Sequence, residues 1–359
     1  MRSTSIAFLW VVAIILFLPP ALSQPAASPS IAALPPPLAD YHLHIQSRAL
    51  SDVLRRAAAQ DPKLFEGMSP ALLNPRSGAD ALRVLNDAGI RCGVLLSEAY
   101  MFTSPYFDVH NIDKDRLTRE ENAFNVAQAA QSKGRLVAFI SVNPLSPAAT
   151  SEIAYWKRAG GASGIKLHLA NSQFDFALPA NIQALKQVFL EANKDSFPLI
   201  IHLRNRQDFG AAQVNTFVDE ILPSAGSLPV QIAHGGGWGG LDDQTIAALS
   251  AFSDAIAAHR PGTERLTFDL ALVVVDDHTD AAKAQGFVDL MRKIGIERFA
   301  MGSDWPALYT PGQYVHLVER ELPLKSQEWR VILAHRSDYI PKPPSPRPAT
   351  SKPNAAAAN

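Results

Sequence analysis

Eight short β-rich runs, each followed by a longer polar or helical stretch, constrain this chain more than any other feature. They lie at 40–45, 91–96, 136–142, 164–169, 199–203, 230–234, 266–275 and 299–303. Strands that alternate with helices form a parallel sheet, and eight such units over about 300 residues predict an α/β chain folded as a (β/α)8 TIM barrel. The structural alternative is a doubly wound open sheet. Neither a GxGxxG nor a P-loop follows the first run, so a nucleotide-binding version lacks its fingerprint. The stretches between the runs carry helical signals. Phe287, Leu290, Met291 and Ile294 repeat at i, i+3, i+4 and i+7 with Gly295 as a stop, and Thr118 with Glu121 reads as a capping box ahead of Phe124 and Ala127.

Both ends of the 359-residue chain read as lying outside the barrel. Residues 1–23 hold one charge, Arg2, then an apolar run from Ile6 to Leu18, Pro19-Pro20 and the small-residue sequence Ala21-Leu22-Ser23. This is the pattern of a cleaved signal peptide, shorter than the ~20 apolar residues that span a bilayer. No stable membrane anchor is expected after cleavage, and the expected location is secreted, or periplasmic in a Gram-negative source. Residues 24–37 hold five prolines and read as a linker, and 341–359 is a Pro/Ala-rich tail, leaving 38–340 as one barrel domain. With 33 Lys+Arg against 34 Asp+Glu, the near-neutral charge argues against a nucleic-acid binder. Cys92 is the only cysteine, which excludes an intrachain disulfide and a thiolate metal cluster.

The chemistry gathers at the ends of the runs. His42 and His44 in the first are two residues apart and face the same side of a strand. His202 ends the fifth run, His234 the sixth, and Asp304 follows the eighth. In a closed parallel barrel the C-terminal strand ends meet at one mouth, so four imidazoles and a carboxylate are expected there. That is a ligand set for Zn²⁺, with Mn²⁺ or Fe²⁺ as alternatives, and an open coordination position would let the ion lower the pKa of a water. Lys166 and His168 share a face of the fourth run. A lysine inside a barrel must be paired, neutral or chemically altered: it either bridges two metals as a carboxylated side chain, holds a substrate carboxylate, or pairs with Asp304 or Asp40.

Taken together, DYHLHI, GIKLHLAN, LIIHLRN, QIAHGGGWGG and GSDWP, in this order from Asp40 to about Ile340, resemble the amidohydrolase superfamily, and most of all its amidohydrolase-related (amidohydrolase family 2) branch of metal-dependent barrel hydrolases. The resemblance implies that His42, His44 and Asp304 hold the more buried metal, with His202 completing a one-metal site. In a two-metal version carboxylated Lys166 bridges, and His202 and His234 hold the second ion. In the one-metal members the residue matching His234 orients water or substrate instead. Where the family commonly has an asparagine-containing turn near its end, this chain has His335-Arg336-Ser337, which bears on packing. The resemblance also makes a homodimer a common assembly state.

The activity expected first is hydrolysis of an amide, lactone or other ester bond of a small molecule, with Asp304 moving the proton from water to the leaving group. A metal-dependent decarboxylase or hydratase on the same scaffold is the second reading, and a secreted binding protein on an inactive barrel the third. For substrate contacts the candidates are His168, Arg204 as a clamp for an anionic substrate, and Trp238 and Trp305 as pocket walls. Glu98, Tyr100 and His110 are weaker candidates.

Overall fold

The computed structural model describes residues 34–65, 70–104, 112–276 and 278–341. The expected signal peptide, most of the linker, His110 and nearly all of the tail therefore lie outside the described residues. The sheet is eight parallel strands in sequential order: β1 (Ala39–Leu43), β2 (Cys92–Leu96), β3 (Leu136–Ser141), β4 (Gly164–His168), β5 (Leu199–His202), β6 (Val230–Ile232), β7 (Leu266–Asp269) and β8 (Phe299–Ala300). β8 returns to β1: Tyr41 N–H donates to the Met301 carbonyl (2.8 Å), Asp304 N–H to that of His42 (2.9 Å) and His44 N–H to that of Trp305 (2.8 Å). The (β/α)8 barrel is thus the observed fold, and the open sheet is excluded. Each strand is almost wholly buried, because helices cover the outer face and side chains fill the inner one.

Several runs are shorter as strands than their sequence suggests. The sixth stops at Ile232 because His234 (φ 56°) and Gly235 (φ 59°) are left-handed, and the eighth stops at Ala300, with Asp304 (φ 56°) left-handed soon after. The seventh ends at Asp269, and left-handed Leu272 (φ 47°) turns what reads as strand into loop. In β1 the register slips between Asp40 and Leu43, a bulge that lets His42 follow Tyr41 toward the interior. Among the helices, α1 (Arg48–Gln60), α2 (Gly78–Asp87), α3 (Lys114–Gln131), α4 (Ala149–Ala159), α5 (Pro179–Asp195), α6 (Ala211–Thr216), α7 (Asp243–Ala257) and α8 (Ala281–Ile294) cover the strands, and α9 (Pro311–Glu321) and α10 (Ser326–Leu333) follow β8. α8 buries Phe287, Leu290, Met291 and Ile294 and ends at Gly295, as its spacing predicts. The capping box does not form: Asp113 caps α3, while Thr118 and Glu121 are buried inside it, and Glu121 accepts from Ser47 at the start of α1. The segment after α10 is structural. His335 Nδ1 donates to the Glu297 carbonyl, and the Tyr41 hydroxyl donates to the His335 carbonyl while accepting from Ser337 N–H.

Candidate active site

β1 presents His42 and His44 into the barrel mouth, and their tautomers are fixed from behind. Asp269 Oδ2 accepts the Nδ1 proton of His42 at 3.1 Å, and the Leu96 carbonyl accepts that of His44 at 2.9 Å. Both Nε2 atoms are thereby left as lone-pair donors. They point at one carboxylate oxygen, Asp304 Oδ1, from 3.2 Å (His42) and 3.1 Å (His44). Acceptors this close repel unless a cation or proton lies between them. His234 Nδ1 likewise donates to the Ala271 carbonyl at 2.8 Å, which frees its Nε2. His202 is buried with its Nδ1 lacking a hydrogen-bond partner among the described residues, an arrangement that costs free energy unless a ligand completes it. The rings form one cluster, with centroids 5.1 Å apart for His42–His44, 4.8 Å for His42–His234 and 4.9 Å for His202–His234. These residues fit a divalent metal: His42, His44 and Asp304 as its core ligands, with His202 beside them.

The electrostatics agree. Burial pushes His42 and His202 well below the usual histidine range, so both are neutral and ready to donate a lone pair. Burial would also lower His44, but the charges of Glu98 and Asp304 outweigh it and its pKa is raised. Burial alone would raise the Asp304 carboxyl; His42, His44 and His234 outweigh that and hold it well below the usual carboxylate range. Asp269, absent from the residues that the sequence pattern singles out, is the orienting residue of the site. Its Oδ2 also accepts from Gln231 Nε2 (2.8 Å), and its Oδ1 from His234 N–H (2.9 Å) and Ala271 N–H (3.1 Å). Although Asp269, His42 and His234 lie close enough to hold an ion, the carboxylate's hydrogen-bonding capacity is spent on the protein, so it supports the ligands rather than joining them. An acidic residue closing a β-rich run, Leu266-Thr267-Phe268-Asp269, was the signal for it.

The other candidates divide. Lys166, aligned with Ser141 and Ile200 across the strands, is fully buried with Nζ 3.3 Å from His42 Nε2, and burial pushes its pKa down to about 8. The expected salt bridge to Asp40 or Asp304 is not among the ion pairs of the described residues. Asp40 Oδ1 instead accepts from His42 N–H (3.0 Å) and Ser303 N–H (3.1 Å), stitching β8 to β1. His168, paired in register with His202, stacks flat on it at 4.0 Å. Trp238 reaches the mouth, 37% exposed, with its ring 6.2 Å from that of His202. Arg204 does not serve as a free clamp: its side chain is buried, with Nη1 2.7 and 2.9 Å from the two carboxylate oxygens of Asp242, the N-cap of α7. Trp305 is likewise no pocket wall. It is 8% exposed and packs with Leu43, Ile45, Leu85 and Leu95 outside the sheet, because left-handed Asp304 turns the chain back across β1.

Residues 39–335 match the family model described as Amidohydrolase. No curated protein matches the chain in sequence. Among solved structures, 5-carboxyvanillate decarboxylase from Sphingomonas paucimobilis aligns with TM-score 0.57 at 13% identity, covering 83% of this chain and 96% of that one. The manganese complex of 5-carboxyvanillate decarboxylase from Novosphingobium aromaticivorans aligns with TM-score 0.55 at 14% identity over 82% and 93% of the two chains. A candidate 2-pyrone-4,6-dicarboxylic acid hydrolase from Pseudomonas putida aligns with TM-score 0.53 at 18% identity over 83% and 95%. At these identities the structural likeness speaks for the fold, and the family match carries the relationship.

Proposed function

The chain belongs to the amidohydrolase family, a metal-dependent enzyme superfamily, and on that premise we propose that it hydrolyses an amide, lactone or other ester bond of a small molecule. The observation that carries this reading is the meeting of two histidine lone pairs with Asp304 Oδ1 at 3.1–3.2 Å, a metal-binding centre whose carboxylate also faces the mouth. A bound divalent ion, Zn²⁺ first and Mn²⁺ or Fe²⁺ as alternatives, supplies Lewis acidity, lowering the pKa of water and polarising a carbonyl. Asp304 accepts the water proton and returns it to the leaving group. Its lowered pKa keeps Asp304 ionised at neutral pH, so its acceptor oxygens carry no proton. His234, with Nδ1 anchored on Ala271, turns Nε2 toward the reacting carbonyl and orients it. Trp238 shields one side. Lys166, buried beside His42, would hold a second ion only as a carboxylated side chain, and the one-metal and two-metal forms differ in whether metal content depends on it.

Decarboxylation is the second reading, supported by the decarboxylases among proteins of like fold. Less favourable to it is the commitment of Arg204 to Asp242, which removes the expected clamp for an anionic substrate. Export and homodimerisation remain part of the proposal. The test is turnover by zinc- or manganese-loaded protein on panels of lactones, esters and amides against hydroxybenzoates. Cleavage of the first group with no CO₂ from the second supports hydrolysis; CO₂ release without cleavage overturns it.

A further inference from the structure

Three polar side chains on one side of the mouth each keep an atom without a hydrogen bond among the described residues, and none of the three is among the metal ligands proposed above. Glu98 follows β2 at the start of the short helix Ala99–Thr103, and its buried Oε2 makes no hydrogen bond among the described residues. The Tyr100 ring is buried 5.0 Å from that of His168. Its backbone is pinned by Ser141 Oγ at the end of β3 (3.1 Å), while its hydroxyl makes no hydrogen bond among the described residues. His168 Nδ1 accepts from Asn171 N–H at 3.3 Å, so a neutral His168 carries its proton on Nε2, again with no partner among the described residues. The scaffold behind them is tied: Ser104 Oγ donates to Asn171 Oδ1 at 3.2 Å, joining the β2 and β4 loops. Glu98 is two residues past Leu96, whose carbonyl holds His44, and two residues before Tyr100, which sets it beside the metal centre.

A buried carboxylate oxygen without a donor is costly, and a ligand that brings a donor recovers that cost. A hydroxyl or ammonium group does so, whereas a carboxylate would face Glu98 with like charge. We propose that Glu98, Tyr100 and His168 form the substrate-specificity subsite, taking a hydroxyl or ammonium substituent beside the scissile carbonyl and disfavouring anionic substrates. The inference rests on the hydrolytic reading of the metal centre. It narrows the substrate class to neutral or cationic carbonyl compounds that carry donors.

The experiment uses zinc-loaded full chain and its Glu98→Gln and Tyr100→Phe variants, each checked for unchanged metal content and thermal midpoint. Binding of three six-membered lactams, unsubstituted, hydroxylated and carboxylated, is measured by titration calorimetry, with turnover of the matching lactones in parallel. In the wild type the hydroxylated lactam binds about tenfold or more tighter than the unsubstituted one, and the carboxylated lactam binds weakest. In Glu98→Gln that order collapses to within about twofold, by loss of affinity for the hydroxylated lactam and gain for the carboxylated one, and Tyr100→Phe lowers the hydroxyl preference alone. Equal affinities in the wild type, an order unchanged in Glu98→Gln, or no binding of any lactam overturns the subsite. The predicted order in binding without turnover of any lactone overturns the hydrolytic reading and leaves the subsite standing.

Discussion

At the scale of single residues, the site works by directed lone pairs. Asp269 and the Leu96 carbonyl hold the imidazoles of β1 by their Nδ1 protons, so the geometry of the ion is set by groups that never touch it. Asp269→Ala is therefore expected to weaken metal affinity about 10–100-fold, measured by competition with a chelator. Asp304→Asn keeps the shape but loses the base, and its kcat is expected to fall about 10²–10⁴-fold in metal-replete protein; turnover within twofold of wild type would remove Asp304 from proton transfer. Gly302 is a packing requirement, since a Cβ there would lie 2.9 Å from His42 Cβ and 3.2 Å from Ala271 Cβ. Gly302→Ala should cost about 1–3 kcal/mol in urea unfolding and loosen the metal with it.

Among the elements, what matters is how loops and helices fasten the strand ends. Asn122 in the middle of α3 shows this. Its Nδ2 donates to the Ser141 carbonyl and Glu152 Oε1, and its Oδ1 accepts from Ser141 N–H and Ser97 Oγ, joining β3, α4 and the end of β2. Asn122→Ala strands these buried groups and is expected to destabilise the fold by about 2–3 kcal/mol, read as a lower urea midpoint at unchanged m-value. The same logic explains the fate of Thr118 and Glu121: two residues with capping chemistry are drawn inside α3 because Glu121 is needed to hold Ser47, the N-cap of α1. A local pattern yields here to a tertiary partner 74 residues away.

For the whole molecule, proton and metal binding are linked to folding. Burial raises the Glu121 carboxyl to about 7, above its unfolded value of 4.5. Its contribution is complete below pH 4.5 and is lost as pH rises toward 7, at most about 3 kcal/mol in all. Relative to Glu121→Gln, the wild type should therefore lose stability between pH 4.5 and 7 in chemical denaturation; a flat difference across that window would contradict the assignment. Metal acts in the opposite sense. His44, whose pKa is raised, must give up its extra proton to bind the ion, so metal affinity is expected to fall as pH drops through its titration. At free metal about 100-fold above Kd the folded state gains about 2.7 kcal/mol, and chelation should lower the thermal midpoint accordingly.

The alternation of runs was enough to specify the barrel, because a parallel strand buried on both faces has few other homes. Spacing also placed His42 with His44 and Lys166 with His168, since period two is a property of the strand itself. What tertiary structure alone decided were the pairings between segments distant in the chain. Asp269 became the orienter of His42 because β7 ends behind β1, Arg204 was claimed by Asp242, and Trp305 was folded into the outer core by the left-handed turn at Asp304. A residue's type and period determine what it can bond and which way it faces; which partner reaches it first is settled only when the strands close.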